Sequence, residues 1–538
     1  METVEVAFWD HIRIVMNELA ESFDHQWRER RRKIGTSFLV EFLIRLGFSK
    51  AQSGFQIVIN EMWKNMRANG SPLPQEKPFA ASSVCEARQN LDPSYINEMN
   101  SQVVQSFLLM NEHRFTWHGR RLFAVDGSNI NLPPELKNEG FDIMSDTHYP
   151  QGKMSVLLHV PTCIPVDVIL DNKGNEREIA LQHTRSLTKG DVVVYDRGYF
   201  SYEIAEAHLE NGIDLICRLP IAGNNVAIQR FIDDHTKPFH EIVIVTPSKS
   251  VKRKLEKKGA RSKSRSITLR LIRYFIGKTE YILCTTILDE TITSEEFAEV
   301  YHGRWGIEEH YKTVKSMLTL EVFHSKTLRG VLQEIYAKEL VVTLSRVLAT
   351  DTETLMGTGL DEEKKRKQIA RLSGSHVPPG DATQPCIANK AETKKTDEEE
   401  KKPVVLGTEP TKRVDQCIKQ GDDVMNIASP LLTTDIPDQI STGIPDTNRT
   451  EYGDLEKTNR SKNAGDETTR HTLKANMKGI VIAVVDVVIH AIFSSSRSLA
   501  LALKDAFIDS IRTMYKKREG RSFKRCRKRP MPNKFFIK

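Results

Sequence analysis

Four side chains that can take part in catalysis or phosphate binding recur at helical spacing within residues 299–318, which read EVYHGRWGIEEHYKTVKSML. Arg304, Glu308 and Lys315 follow Tyr301 at offsets of 3, 7 and 14 residues. On a helix that turns by about 100° per residue, the four positions fall within about 60° of one another. They predict a narrow stripe on a solvent-facing helix. A row of surface ion pairs is the ordinary explanation, so the meaning of the stripe depends on what it faces.

Two aspartates are candidates for the group that this stripe faces. Asp126 ends a predicted strand at 121–126, and Asp196 ends another at 191–196. Ligands of α/β proteins tend to bind at the carboxyl ends of strands. If the two strands are neighbours, both carboxylates emerge at one edge, and a helix packed alongside brings Glu308 to the same point. Each aspartate alone is more commonly a turn residue, because the dipeptide DG and the tripeptide DRG are typical of turns.

Three clustered carboxylates predict metal chemistry, because they cannot all stay ionised at low cost without a cation. Oxygen ligands select Mg²⁺ or Mn²⁺, and two such ions about 3.5–4 Å apart promote in-line phosphoryl displacement. Arg304 and Lys315 would then contact phosphate oxygens. Tyr301 would offer a hydroxyl or a ring. Trp305 either packs in the core or stacks on a displaced base.

The segments that would position these residues predict a mixed α/β sheet with helices packed on it. Apolar runs bounded by turn residues predict three strands at 121–126, 153–160 and 165–170, followed by a helix at 175–183. A strand at 191–196, a helix at 201–212 and a strand at 213–219 come next. Alternating residues at 240–246, 266–275 and 280–288 then predict a β-rich insertion before the helix that carries the stripe.

The stripe helix is predicted to begin at a capping box, TSEE, at 293–296. Gly303 and Gly306 lie within it, and each weakens a helix by roughly 1 kcal/mol relative to alanine. We therefore expect another backbone or a ligand to approach closely there.

The rest of the chain divides by composition and periodicity. Helical patterns at 36–47, which has a Ser/Thr cap and closes on a glycine, and at 93–112 indicate a helical start, whereas 357–470 lacks periodicity and is predicted to be disordered. We expect a helical region at 1–115, the first part of a core at 116–220 and the β-rich insertion at 221–290. The second part of the core would follow at 291–356, then the polar segment at 357–470, and C-terminal helices with a basic tail at 471–538.

Charge and composition favour a nucleic-acid partner in a reducing compartment. The 538 residues carry a net charge of +7, with basic clusters at 27–33, 252–265 and 516–529. Such clusters suit a polyanion, although solvated surface is the alternative for each alone. Seven cysteines never form a C-x-x-C pair. The longest apolar run, 479–493, is too short to span a bilayer and is expected to be a buried helix.

These motifs resemble those of DDE transposases of bacterial insertion sequences, specifically the insertion-sequence-four type, whose third acid lies in a Tyr-x2-Arg-x3-Glu-x6-Lys signature. The stripe residues complete that signature, and VDGS at 125–128 and DRGYF at 196–200 match the elements of the first two acids. The resemblance covers roughly residues 30–350 and, more weakly, 472–538. The segment 357–470 is longer than the family pattern leads us to expect.

The resemblance implies an α/β fold with an RNase H-like catalytic core, interrupted by the β-rich insertion and flanked by helical N-terminal and C-terminal regions. Asp126, Asp196 and Glu308 would be catalytic and would hold two Mg²⁺ or Mn²⁺ ions. Tyr301, Arg304, Lys315 and Trp305 would bind DNA.

The activity implied by the resemblance is cut-and-paste transposition of an insertion sequence. Its partners would be terminal inverted repeats and target DNA, bound by a homodimer in a synaptic complex. Residues 1–115, with the cluster at 27–33, are candidates for recognising the repeats, and the C-terminal helices and basic tail for pairing two subunits. The expected location is the cytoplasm, at the nucleoid, with no membrane partner.

Three other functions remain open at this level. An RNase H-like nuclease without strand transfer would carry the same acids. A catalytically silent DNA-binding relic would have no chemical reason to keep all three acids, but the long polar segment is compatible with it. A structural nucleic-acid protein would explain the basic clusters and leave the stripe unexplained.

Overall fold

A computed structural model describes the chain at residues 2–27, 33–49, 54–145, 147–172, 174–222, 225–236, 239–249, 251–253, 266–276, 278–356 and 473–516. The segment 357–470, predicted to be disordered, and most of each basic cluster lie outside these described residues.

Along the chain, the described helices precede the strands of the sheet, alternate with them and follow them. They are α1 (Glu2–Trp27), α2 (Thr36–Phe48), α3 (Phe55–Ala68), α4 (Ala81–Asn90), α5 (Pro93–Met110), α6 (Glu176–Gln182), α7 (Tyr202–Glu210), α8 (Val226–Asp233), α9 (Ser294–Gly303), α10 (Gly306–Lys312), α11 (Leu328–Met356), α12 (Met477–Ala483), α13 (Ile489–Ile492) and α14 (Ser496–Thr513). Single π-helical segments follow α10 and α12, at Thr313–Met317 and Val484–Val488.

The strands confirm the predicted mixed sheet. They are β1 (Thr116–Trp117), β2 (Arg120–Asn131), β3 (Gln151–His159), β4 (Ile164–Asp171), β5 (Val192–Tyr195), β6 (Asp214–Arg218), β7 (His240–Val245), β8 (Ile267–Ile276) and β9 (Thr279–Thr285), with a separate pair, β10 (Leu473–Lys474) and β11 (Tyr515–Lys516). The sheet order is β4-β3-β2-β5-β6-β9-β8-β7, and β1 pairs only with β2. Strands β2, β3 and β4 are antiparallel, whereas β5 and β6 run parallel to β2.

Both faces of the central strands are buried, in two separate apolar cores. On β2, Phe123 and Val125 belong to the core shared with the helical bundle, whereas Leu122 and Ala124 belong to the core against α9. Side chains alternate between the faces of a strand, and strands covered on both faces become continuously apolar. This explains the all-buried sequence VVVY of β5.

The segment predicted as a β-rich insertion adds strands to this same sheet. Strand β9 pairs antiparallel with β6, and β8 and β7 follow outward. The buried Arg270 of β8 donates hydrogen bonds to the carbonyls of Asp289 and Ile292, the latter at 2.9 Å. These strands therefore hold the chain where it enters α9.

Helix α11 is the centre of a bundle formed by both ends of the described chain. It packs against α2, α5, α12 and strand β4. The Glu353 carboxylate accepts hydrogen bonds from Lys474 Nζ at 3.0 Å and from the Ala475 amide at 2.9 Å, and Asn17 Nδ2 of α1 donates to the Ile492 carbonyl at 2.8 Å. The N-terminal and C-terminal helices thus share one body.

Two details of the predicted helix at 36–47 are wrong. Its N-cap is Gly35, without a side-chain capping bond, and the Thr36 hydroxyl instead donates to Asp24. Gly47 does not end the helix, which continues to Phe48. A Cβ on Gly47 would lie 3.1 Å from the buried Lys338 side chain, so this glycine provides space for packing on α11.

The apolar run at 479–493 is a buried helical segment, as predicted. It forms α12, the following π-helical segment and α13, and most of its apolar side chains join the bundle core, whereas Ile482 and Val487 are exposed. Among the described residues, no helix is long and apolar enough to cross a membrane.

The buried ion pair between α4 and α11 gives a stability prediction. Arg88 contacts Glu334 at 2.6 Å, with both side chains buried. Arg88→Met leaves the buried carboxylate without its guanidinium partner, so we expect the free energy of unfolding at neutral pH, measured by urea titration, to fall by about 3–5 kcal/mol. The double variant Arg88→Met/Glu334→Gln should lose less. An equal loss in the two variants would contradict this account.

The same pair contributes acid sensitivity. Burial alone would raise the pKa of Glu334, but the hydrogen bond with His324 and the Arg88 guanidinium lower that pKa from 4.5 to about 2. Its contribution is therefore fully present above about pH 4.5 and is lost as the pH falls towards 2.

Candidate active site

Asp126 lies in the middle of β2, so the prediction that it ends the strand was wrong. Residues 127–131 continue to pair with β3, which prevents the turn expected from Asp-Gly. The parallel pairing with β5 stops earlier, at Val125 and Tyr195. Asp126 therefore lies where β2 loses its parallel neighbour, and Asp196 directly follows the end of that neighbour.

The alternation of β2 also directs the first carboxylate. Because side chains two residues apart in a strand point to the same face, Asp126 points to the same face as Leu122 and Ala124, which is the face of the core against α9. Its side chain thus emerges on the face where Tyr301 of α9 packs. As expected, the two aspartates share one edge because β2 and β5 are neighbours.

The two aspartates have opposite pKa shifts. Burial raises the pKa of Asp126, and the negative charges of Asp196 and Glu176 add to this effect, against hydrogen bonding from the Gly127 amide and the charge of Arg304. Burial also raises the pKa of Asp196, but the Tyr301 hydroxyl, which donates to its Oδ1 at 2.7 Å, and other favourable partners make the net shift downward.

The predicted continuous helix is interrupted. The capping box of Thr293 and Glu296 is present, but α9 ends at Gly303 and α10 starts at Gly306. Residues Phe297, Val300 and Tyr301 of α9 pack in one core, whereas Ile307 and Tyr311 of α10 pack in the other. The break lies at Arg304 and Trp305, where the chain passes between the two cores.

Arg304 is the meeting point of the three acids. Its Nη1 lies 3.9 Å from Asp126 Oδ2, and its Nη2 lies 3.8 Å from Asp196 Oδ1 and 3.7 Å from Glu308 Oε1. The arginine side chain is 5% exposed, whereas those of the acids are 27%, 40% and 39% exposed. Arg304 and Tyr301 are buried, so the expectation of a wholly solvent-facing stripe was wrong for these two residues.

The other two predicted DNA contacts lie beside this centre. Lys315 Nζ donates to Ser128 Oγ at 2.7 Å and to the Asn129 carbonyl at 2.6 Å, and burial lowers the pKa of this lysine. Trp305 is 59% exposed, which excludes the alternative that it packs in the core.

The close approach expected at the two glycines is present, but side chains make it. A Cβ on Gly303 would lie 2.8 Å from Val160 Cγ1, and one on Gly306 would lie 2.8 Å from Cys163 Sγ. Both neighbours belong to the turn that joins β3 to β4. The glycines therefore allow α9 and α10 to pack closely on that turn.

Tyr311 and Glu176 are site residues that sequence reasoning missed. The buried Tyr311 hydroxyl lies 2.9 Å from the carbonyls of both Asp126 and Met154, so it links α10 to β2 and β3. Its offset of ten residues from Tyr301 places it near the edge of the helical stripe. This spacing is the sequence signal that could have identified Tyr311 as a site residue. Glu176, which pairs with Lys153 at 2.8 Å, had no distinguishing pattern.

The three acids offer donor atoms that suit a hard divalent cation. In the positions that their side chains occupy, however, they do not form a complete set of metal ligands. Their donors are carboxylate oxygens, which Mg²⁺ and Mn²⁺ prefer, and all three are partly exposed around one guanidinium. In the part of the chain that the structure describes, no group of three or more His, Cys, Asp or Glu side chains could hold a metal ion. Side-chain rotation away from Arg304 would be required.

The central region of the chain matches a known family model. Residues 117–344 match the family model described as the transposase DDE domain, and they include all three acids and the complete stripe. This match confirms the resemblance to DDE transposases for that part of the chain.

Among solved structures, the piggyBac transposase synaptic complex with hairpin DNA, determined by cryo-EM, is similar over 67% of this chain and 77% of that chain, at 8% identity and a TM-score of 0.35. A likeness at this level does not establish a shared fold. No curated protein matches the sequence.

Removing the Tyr311 hydroxyl should weaken the attachment of α10 to β2. Tyr311→Phe leaves the ring in place and two carbonyls without this donor, so we expect a loss of about 1–2 kcal/mol in urea unfolding. Tyr281→Phe is the control, because it removes the hydroxyl of a half-buried tyrosine whose ring stacks on Tyr274, and it should change stability by less than about 0.5 kcal/mol. Equal stability of the two variants would contradict this role.

The close packing of Gly306 against Cys163, next to the break between α9 and α10, can be tested by introducing a steric clash and then removing it. Gly306→Ala should lower stability by about 1–3 kcal/mol, despite the better helix propensity of alanine, because its Cβ meets Cys163 Sγ. Adding Cys163→Ala removes that sulfur and should restore most of the loss, measured by thermal unfolding against Cys163→Ala alone. A double variant no more stable than Gly306→Ala would refute the proposed contact.

Proposed function

We propose that the chain is a DDE transposase of the insertion-sequence-four type that cuts and joins DNA, with Asp126, Asp196 and Glu308 as its catalytic, metal-ligating acids. The observation that carries the proposal is the approach of three carboxylates, from β2, from the end of β5 and from α10, to one guanidinium. They lie in the region that matches the transposase DDE domain.

The strand order supports an RNase H-like core. Three antiparallel strands, β4-β3-β2, are followed by two strands parallel to β2, namely β5 and β6. The first two acids lie in β2 and directly after the end of its neighbour β5. Strands β7, β8 and β9 would be the insertion between the second aspartate and the glutamate.

The three carboxylates would hold two Mg²⁺ or Mn²⁺ ions, since the chain offers oxygen donors there. Ions bound at this point would activate an attacking oxygen and stabilise a leaving one. The Tyr301 hydroxyl helps to keep Asp196 ionised, and Tyr311 fixes the backbone of Asp126 against α10. These contacts restrain Asp196 and the backbone of Asp126 before substrate binds.

DNA would cross the exposed side of the acids. The Trp305 ring is exposed beside them and is available to stack on a displaced base. Lys315, next to β2, would supply positive charge close to phosphate. The signature also assigns DNA contacts to Tyr301 and Arg304, although both are buried in the protein without DNA.

The proposed reaction begins with hydrolysis at the end of the element. Water attacks the phosphorus, the bond to the 3′-oxygen breaks, and that oxygen leaves as a 3′-hydroxyl. The hydroxyl attacks the opposite strand to form a hairpin, which a second hydrolysis reopens. The released 3′-hydroxyl then attacks target DNA. Each joining step exchanges one phosphodiester for another, so no ATP is required.

The proposed partners are terminal inverted repeats and target DNA, bound by a homodimer in the cytoplasm at the nucleoid. Repeat recognition is assigned to the N-terminal helical region with the cluster at 27–33. Deleting residues 1–115 would be a poor test, because α1, α2 and α5 pack in the bundle around α11. Charge-neutralising substitutions at 28–32 should reduce DNA binding while leaving the bundle intact, as measured by filter binding and circular dichroism.

The decisive experiment compares wild type with Glu308→Gln on labelled duplex carrying the DNA that flanks the element. With Mg²⁺, wild type should produce nicked and joined strands. Glu308→Gln should bind the duplex but cut it about 100-fold more slowly or worse, because one ligand charge is lost. Glu309→Gln is the matched control, since the neighbouring carboxylate pairs with Lys312 instead of Arg304, and it should retain cutting.

The products distinguish the alternatives. Cutting without joined strands would favour an RNase H-like nuclease. Binding without cutting by wild type, with Mn²⁺ as well as Mg²⁺, would favour a catalytically silent relic. Full cutting by Glu308→Gln would remove Glu308 from the proposed acid set.

A further inference from the structure

We propose that Arg304 is an internal counter-ion, a positioning residue that holds the three acids together before divalent cations bind and competes with those cations for the carboxylates. The inference rests on the proposed function, because it takes Asp126, Asp196 and Glu308 as the metal ligands. It gives Arg304 a role towards the acids in addition to the phosphate contact expected from the signature.

Burial places the guanidinium beneath the acids. Arg304 is 5% exposed, whereas each of the three carboxylate side chains is at least 27% exposed. A cation from solvent would therefore approach the exposed parts of the carboxylates, while Arg304 faces them from the protein interior. The arginine and an incoming ion can act on the same three groups.

The distances indicate attraction without directional bonding. All three N···O separations fall between 3.7 and 3.9 Å, beyond the usual length of a hydrogen bond. Charge attraction at this range depends weakly on angle. The carboxylates can therefore turn towards another cation without first breaking a hydrogen bond to Arg304.

Other contacts keep the guanidinium in place. Its Cζ lies 5.6 Å from the centre of the Tyr301 ring, a distance at which a cation and an aromatic face attract each other. The Tyr301 hydroxyl in turn binds Asp196. Arg304 Nε has no hydrogen-bond partner among the described residues, so the ring, the backbone break and the acids determine its position.

Nearby cations are largely committed elsewhere. Lys153 pairs with Glu176, and Lys315 binds Ser128 and Asn129. Arg218 contributes to lowering the pKa of Asp196 but forms no ion pair with it that the structure assigns. One guanidinium thus faces three carboxylates. It reduces their repulsion and leaves an excess of negative charge that favours a divalent ion.

The test is the thermal stability of the full chain with and without metal, which requires no DNA. Wild type, Arg304→Met and Lys312→Met are unfolded in EDTA and across a series of MnCl₂ concentrations at constant ionic strength and neutral pH. Arg304→Met should have a lower Tm in EDTA because the acids repel one another. It should also gain more Tm from Mn²⁺, with a midpoint at roughly ten-fold lower concentration, because binding to the folded state is no longer opposed.

Lys312→Met is the matched control. It also removes a cation from α10, but its partner is the exposed Glu309. It should follow wild type in both the EDTA Tm and the Mn²⁺ response. Arg304→Lys keeps the charge and should lie between wild type and Arg304→Met. If Arg304→Met fails to fold in EDTA, recovery of its folded signal by Mn²⁺ supports the proposal, and a failure of Mn²⁺ to recover it overturns the proposal.

The outcomes separate this inference from the proposed function. A Mn²⁺ response in wild type that Asp126→Asn abolishes, together with an equal or smaller response in Arg304→Met, would overturn the counter-ion role and leave the metal site standing. Absence of any Mn²⁺ response in wild type, Arg304→Met and Arg304→Lys would overturn both the metal site and the inference built on it.

Discussion

Mutual repulsion of three carboxylates is the constraint on which the arrangement of this site depends. The acids come from positions 126, 196 and 308 and must meet at a partly exposed site, where their charges oppose assembly. Parallel pairing of β2 with β5 brings the first two together. The third arrives with Arg304, four residues earlier in the chain, whose charge attracts all three. The helix that completes the cluster therefore also supplies its counter-charge.

The same constraint explains why the site helix is broken and firmly held. Helix α9 packs in one core and α10 in the other, so the break at Arg304 allows a buried cation at the boundary. Tyr311 ties α10 to the backbone of Asp126, and Arg270 holds the entry to α9. Behind α10, the buried His310 lies 3.4 Å from Glu339 of α11. This contact joins the bundle to α10, the helix that carries Glu308.

Much of the secondary structure could be predicted from the sequence, because it follows from local pattern. Alternation and turn residues indicated β2 to β9, although β2 is longer than predicted. The Thr293 and Glu296 capping box marked the start of α9. Helical spacing grouped Tyr301, Arg304 and Glu308, and the structure does bring these three together. Spacing succeeded here despite the broken helix, because the break spans only two residues and preserves their common direction.

The tertiary structure decided what the pattern left open. Whether Asp126 ends its strand depends on pairing with β3, 30 residues away along the chain. Whether Arg304 faces solvent or the acids depends on two cores that meet at the break, and the need for Gly306 depends on Cys163. The sequence by itself determined the element types and the identity of the candidate acids, because periodicity and turn chemistry act over a few residues. Burial, partners and the direction of each charge were decided by contacts between distant segments, which local pattern does not encode.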